Sequence, residues 1–374
     1  MTYAAGVQRN DALEAAIREN RDDPAPYMVY ADWLQARGEP LGELIVLQHA
    51  GNVTTASSIQ GRLKLPPLDF VQPTWRWGLW RSIKLANQRD WMDGTFDPIA
   101  AAREVFAHPV CLALEELHTG VLRWDYNHVD VPAVIADAGT YAWAPGLRAL
   151  HLGDLTDTNV DMAHHVIGDV GAAITKAFPN LETLLLHSGD QSWRGEGQTF
   201  LASGLDLPRL RTLTIETCAM TTERLAGILA AELPALERLE LWFGSRDYDA
   251  IYEIGDLGPL LHEADRFPTV RHLGLRNSEL ADIFAPAIVF SKIAARLETL
   301  DLSMGTLTDV GANILVDHAS QLRNLTKLDV SQSYVTPAAI DRLRGVFREV
   351  VAGDQKLEAG AIPDAEDRYV SVHE

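Results

Sequence analysis

The chain has 374 residues, 47% of them hydrophobic, and a formal charge of −20 from 52 acidic against 32 basic residues. That length supplies ample core, and the acidity repels phosphate backbones, which argues against DNA or RNA as the main partner. Two cysteines, Cys111 and Cys218, make no disulfide framework, no apolar run reaches membrane length and no charged-then-apolar leader opens the chain, so a cytoplasmic protein with no membrane partner is expected.

Asp11 and Glu14 have the spacing of a capping box ahead of Leu13 and Ile17, which predicts a helix from about Ala12 to Glu19. Asp22, Asp23, Pro24 and Pro26 break it. A second helix runs through Tyr30, Trp33 and Leu34 to Gly38, and a third covers Leu41 to His49. Tyr30 and Trp33 lie three apart, share a helix face and read as packing residues. The stretches Ala12 to Ile17, Val29 to Leu34 and Gly38 to Glu43 resemble the bacterial repeat-companion domain. That small helical module precedes leucine-rich and other repeat arrays, and the resemblance carries no activity with it. Tyr27 stands where the family pattern has an Arg that would pair with Asp32 or Glu43.

Residues 51–74 shift to Gly, Asn, Ser, Thr and Pro, and are expected as a linker. Trp75, Trp77 and Trp80 follow within residues 75–85. A terminal repeat cannot bury its outer face on a neighbour, so these tryptophans are read as the cap of an array. Asp97 and Pro98 open a helix carrying Ile99, Ala102, Val105 and Phe106. Leu114 and Leu117 begin a degenerate first strand in which Thr119 replaces the third apolar residue.

One line then recurs: apolar, two variable, apolar, one variable, apolar. Its apolar positions are Leu147, Leu150 and Leu152; Leu181, Leu184 and Leu186; Leu210, Leu213 and Ile215; Leu236, Leu239 and Leu241; Val270, Leu273 and Leu275; Leu297, Leu300 and Leu302; Leu325, Leu328 and Val330. The starts lie 26 to 34 residues apart, the period of a solenoid. Helical spacing follows the strands, as in Val160 to Ala177 after Leu152 and Ile314 to Leu322 after Leu302. The expected fold is therefore α/β: a solenoid with a parallel concave sheet and convex helices, preceded by a small all-α module. This is similar to leucine-rich repeat proteins of the ribonuclease-inhibitor subclass over about residues 110–351. The column that usually holds Asn or Cys reads Leu155, Gly189, Cys218, Gly244, Ser278, Gly305 and Ser333, so small residues must close the turns. The expected divisions are a repeat-companion domain over 1–50, linker and cap over 51–110, the array over 111–352 and a tail over 353–374.

The register assigns most tempting motifs to structure. Cys218 falls in the turn column. The run from Asp157 to Asp161 resembles the start of a calcium loop, but Met162 and Gly168 stand where Gly and Glu are needed. His164 and His165 sit on adjacent helix faces rather than at metal spacing. No catalytic, cofactor or metal residue is expected, and no enzyme.

Binding is expected on the strand residues between the leucines, which point to the concave surface. The middle repeats hold the aromatic and Arg types that dominate interfaces: Trp242 with Arg238, His272 and Arg276 as one patch, bordered by Glu240, Glu216, His187 and the apolar Leu185. Residues 244–266 form a long insertion with Tyr248 and Tyr252, read as a second contact surface. A helix over Pro337 to Phe347, a short strand at Val350 and Val351, a polar loop over Gln355 to Asp367 and a tail from Arg368, read as frayed, edge-pairing or a short recognition segment, complete the chain. The leading expectation is a non-enzymatic scaffold that binds a protein partner. The alternative is a regulatory component, such as a sensor, an enzyme inhibitor or a protease target, in bacterial defence or stress signalling.

Overall fold

The computed structural model describes residues 9–63, 65–66, 70–85, 98–120, 130–154, 162, 165–189, 202–263 and 265–372. Twelve α-helices and eleven strands lie among these residues. None of the helices is long and apolar enough to cross a membrane. The chain divides into two compact units, Met1–Thr158 with Lys176–Leu181, and Asn159–Thr175 with Glu182–Glu374.

The first unit opens with α1 (Asp11–Glu19), α2 (Pro24–Gln35), α3 (Pro40–His49) and α4 (Val53–Gln60). The α1 cap is Asn10 rather than Asp11. Its side chain accepts from Leu13 N–H, and Glu14 turns back to accept from Asn10 N–H at 3.3 Å. Glu14 is thereby nearly buried, and its charge is satisfied by Arg9 and by the Tyr30 hydroxyl. Tyr27 is fully buried, and its hydroxyl donates to Arg21 O at 3.0 Å, so the position is a core one. Tyr30 and Trp33 stack with centroids 6.0 Å apart. The expected linker instead contains α4. Asn52 accepts from Thr55 N–H, and Ala56 and Ile59, three apart, are both buried.

The tryptophan-rich segment is an antiparallel hairpin, β1 (Val71–Arg76) and β2 (Leu79–Leu85). Its turn uses positive φ at Trp77 and Gly78. A side chain at Gly78 would place Cβ 2.6 Å from Ile45 Cγ1, so glycine there lets the turn close on α3. Trp80 is completely buried. β2 pairs in parallel with β3 (Glu116–Thr119), and β3 with β4 (Ala149–Leu152). α5 (Pro98–Ala107) and α6 (Val131–Ala138) precede β3 and β4. Asp97 lies outside the described residues.

Of the expected helix over Val160 to Ala177, the described residues contain α7 (Gly171–Ala177). Residues 165–170 are not helical, because Gly168 takes φ 72° and reverses the backbone. His165 is therefore a buried residue of an irregular segment, not half of a helical pair, and His164 and the run from Asp157 to Asp161 lie outside the described residues.

The second unit carries β5 (Thr183–His187), β6 (Thr212–Glu216), β7 (Arg238–Gly244), β8 (His272–Ser278), β9 (Thr299–Asp301), β10 (Lys327–Asp329) and β11 (Glu349–Val351). Each pairs in parallel with the next. Between them run α8 (Thr222–Leu229), α9 (Gly258–His262), α10 (Ala281–Val289), α11 (Asp309–Asp317) and α12 (Pro337–Val346). This is a solenoid-like stack of strand–turn–helix repeats. Leu213, Leu239, Leu273, Leu300 and Leu328 are all at or below 1% exposure, so the recurring line forms one continuous apolar seam. Each such side chain contributes about 1.5–3 kcal/mol on burial. The entry to each strand repeats as well. The N–H groups of Glu237 and Arg238 both donate to Arg211 O, those of Arg271 and His272 to Glu237 O, and those of Glu298 and Thr299 to Arg271 O.

Small residues close the turns. Gly244 has φ 83°, and a Cβ there would lie 1.7 Å from Cys218 O. Cys218, Ser278 and Ser333 are buried beside it or in the same column. The insertion after β7 contributes both core and exposed residues, among them Ile251 at 67% exposure. Tyr252 is buried, with its hydroxyl 2.7 Å from Ser278 Oγ, while Tyr248 stays half-buried.

Within the described residues 368–372, the tail is held by hydrogen bonds and pairs with no edge strand. Tyr369 N–H donates to the Tyr334 hydroxyl, Ser371 N–H donates to Met304 O, and Val372 exchanges two hydrogen bonds with the Asn277 side chain. It runs along the turns that follow the strands and supplies partners to backbone and side-chain groups there.

Candidate functional site

In the second unit, strand alternation buries the leucines and leaves the residues between them on the opposite face of the sheet. Glu240 and Trp242 on β7 are half-buried there, and Arg238 is exposed. Parallel register sets Arg238 beside His272, Glu240 beside Gly274, and Trp242 beside Arg276. One position beyond the Ile215–Leu241 pair, Glu216 faces the same row as Trp242, and Glu216 is itself the register partner of His187.

Hydrogen bonds tie this row together. Trp242 Nε1–H donates to Glu240 Oε1 at 2.9 Å, and Arg276 Nη1 donates to the same oxygen at 2.5 Å. The Arg276 guanidinium lies 5.1 Å from the Trp242 ring centroid. Its Nε lies 3.3 Å from Asp301 Oδ2 and donates to Ser303 Oγ at 3.0 Å, and Nη2 reaches Met304 Sδ at 3.0 Å. Burial works against the Arg276 charge, but Asp301 and Glu240 outweigh it and hold the guanidinium above its ordinary value. Gly274 makes room for this arrangement: a Cβ there would sit 3.0 Å from Glu240 Cγ.

Two of the expected neighbours separate. Arg238 and His272 form one pair at the start of the strands, and Trp242 and Arg276 another at the end, four strand positions away. His272 Nδ1 lies 2.8 Å from Thr299 Oγ1. Burial, and then the neighbouring Arg238 cation, lower its imidazole below the ordinary value. His187 Nδ1 lies 2.8 Å from Glu216 Oε2, extending the Trp242 row. Leu185 is half-buried rather than exposed.

Trp242 also packs, with Tyr248 and Val372, against a small apolar cluster of Met162, Cys218 and Ala219. The sequence reading missed Asn277, Met304 and Val372 as members of this region. Asn277 and Met304 each lie two residues past the last apolar position of their line, Leu275 and Leu302, and take positive φ; an Asn at that offset is the signal that could have found the first. Nothing in the tail's composition says where it docks. Among the described residues of the first unit, His118, His151 and Asp154 place one donor atom each within 4.8 Å of one another.

No protein-family model matches this chain, and no curated protein does. Among solved structures, a Bacteroides fragilis protein is similar at 21% identity with a TM-score of 0.64, over 78% of this chain and 77% of its own. An internalin from Listeria monocytogenes is 14% identical with a TM-score of 0.31, over 70% of this chain and 64% of its own. The first likeness shows a shared fold and nothing about activity. The second is too distant to argue from. The parallel α/β repeat array is consistent with a leucine-rich repeat solenoid.

Proposed function

We propose that the chain is a non-enzymatic interaction protein that binds a protein partner on the strand face of its leucine-rich repeats, centred on Trp242. The observation that supports this most is the pre-organised row of His187, Glu216, Trp242 and Arg276. A half-exposed indole is held by Glu240 and covered on one side by a guanidinium whose charge is already balanced. Binding such a row immobilises little that is not already fixed, and Trp and Arg are the residue types that anchor interfaces. Arg238, exposed on the same strand, adds a charge that suits an acidic or carbonyl-rich partner. The surplus of acidic residues favours a protein over a nucleic acid. On this reading the strand–helix units are of the ribonuclease-inhibitor type, and α1 to α3 are a repeat-companion module.

The regulated alternative draws on one observation. The tail bonds to Asn277 and packs Val372 against the same cluster as Trp242, so a partner reaching that cluster meets the tail.

The test is affinity capture from the native host with the wild-type chain, the double variant Trp242→Ala with Arg238→Ala, and a helix-surface control, Val310→Ala. Loss of a hot-spot Trp or Arg costs roughly 2–4 kcal/mol, or about 30- to 1,000-fold in affinity. A partner held by wild type and control but lost by the double variant supports the reading. A partner whose affinity for the double variant stays within about threefold of wild type removes it.

A further inference from the structure

The parallel register of the first unit stacks Lys84, His118 and His151 in one column across β2, β3 and β4. The two imidazoles are cross-strand neighbours with centroids 5.2 Å apart. Two residues past His151, Gly153 takes φ 84° and turns the chain back. Thr119 O accepts from both Gly153 N–H and Asp154 N–H and fixes that turn. The carboxylate of Asp154, 8% exposed as a residue, is thereby brought to the histidine column.

The two carboxylate oxygens have different surroundings. Oδ1 meets Lys84 Nζ at 3.0 Å, while Oδ2 lies 3.6 Å from His118 Nδ1. That second distance is beyond a good hydrogen bond. It is close to the roughly 3.3 Å that separates donors around a tetrahedral ion with bonds of about 2.0–2.1 Å. A ring nitrogen of His118, a ring nitrogen of His151 and a carboxylate oxygen of Asp154 already lie within 4.8 Å of one another, and χ rotations of two half-buried imidazoles close the remainder.

We propose that His118, His151 and Asp154 form a binding site for a divalent first-row metal ion, Zn²⁺ by preference. Two imidazoles and one carboxylate suit Zn²⁺, and three protein ligands leave a fourth position for water or an added ligand. Asp154 binds through Oδ2. Lys84 keeps Oδ1 and orients the carboxylate, the part that outer hydrogen-bond partners play at metal sites. Strand stacking explains why the site forms at all. Residues in register on adjacent strands lie about 4.8 Å apart, so a His–His column is a ready chelate once a third donor loops back.

Co²⁺ and then Zn²⁺ titrated into the full chain test the proposal. Wild type is expected to take up one Co²⁺ with the visible absorption of a four-coordinate site, and Zn²⁺ is expected to displace it. His118→Gln, His151→Gln and Asp154→Asn should each weaken uptake at least about tenfold, while His262→Gln, exposed on α9, should leave it unchanged. Asp154 is nearly buried. If its variant fails to fold, the half-buried His118→Gln and His151→Gln decide the matter, with circular dichroism confirming that they remain folded. Absence of binding at about 0.1 mM metal, or binding that survives the histidine substitutions, overturns the proposal.

Discussion

Arg276 contacts Glu240, Trp242, Asp301, Ser303 and Met304 on the candidate face, and replacing it separates an internally satisfied charge from a loose one. Its side chain is 23% exposed and that of Glu240 is 20% exposed. Two unit charges at about 4 Å attract by about 4 kcal/mol at an effective dielectric of 20. Desolvation and the remaining exposure offset much of that. Breaking a fully buried pair costs about 3–5 kcal/mol and an exposed one less than about 1 kcal/mol, so Arg276→Met should cost about 2 kcal/mol. The variant leaves Glu240 and Asp301 without their shared cation, whereas Glu240→Gln in the same background removes one of the stranded charges. The two substitutions should therefore be non-additive, with a coupling of about 1–2 kcal/mol. Urea denaturation followed by circular dichroism measures the cycle, with hydrogen exchange at β7 and β8 as a local readout, since stacked repeats need not unfold in one step. Additivity within about 0.5 kcal/mol would refute the claim that these side chains form one network.

Three further outcomes follow from the geometry. Gly244→Ala should destabilise the second unit by more than about 3 kcal/mol, because its Cβ would overlap Cys218 O at 1.7 Å with φ held at 83°; a wild-type urea midpoint would contradict this. Burial holds the His108 imidazole below its ordinary 6.5, so the unfolded state takes up its proton first. The stability contributed by neutral His108 is present above pH 6.5 and is lost as pH falls through the lowered value, and His108→Gln should flatten that part of the pH–stability curve. Removing residues 368–374 should speed hydrogen exchange around Asn277, Met304 and Tyr334, which lose tail partners, while leaving α1 to α3 unchanged; equal exchange with and without the tail would show that it does not dock.

The strand rows were legible because their cause is local and repeated. A leucine at the first, fourth and sixth positions must be buried, and a parallel register then fixes which residues share the outer row. Leu239 and Trp242 follow from that rule alone. What was hidden depends on single backbone events or distant partners. Gly168 ends the apolar periodicity over Val160 to Ala177 as a helix signal, and Asn52 caps a helix in a stretch whose Ser and Thr content reads as loop. Strand β3 reads as degenerate in sequence because Thr119 replaces a leucine. Thr119 is nonetheless buried and bonds the turn at Gly153 and Asp154, which is how His118 and Asp154 escaped notice. The separation of Arg238 from Trp242 follows from strand length, since four residues of strand span about 13 Å.

The most direct test of the interaction face is site-specific photo-crosslinking in the native host. A photoreactive side chain is placed at Arg238 on the strand face or at Val310 on the helix surface, both exposed positions. A discrete crosslinked protein from position 238, missing from position 310 and suppressed by Trp242→Ala, is the expected result. Crosslinking to one protein from position 310 but not from 238 would contradict the account.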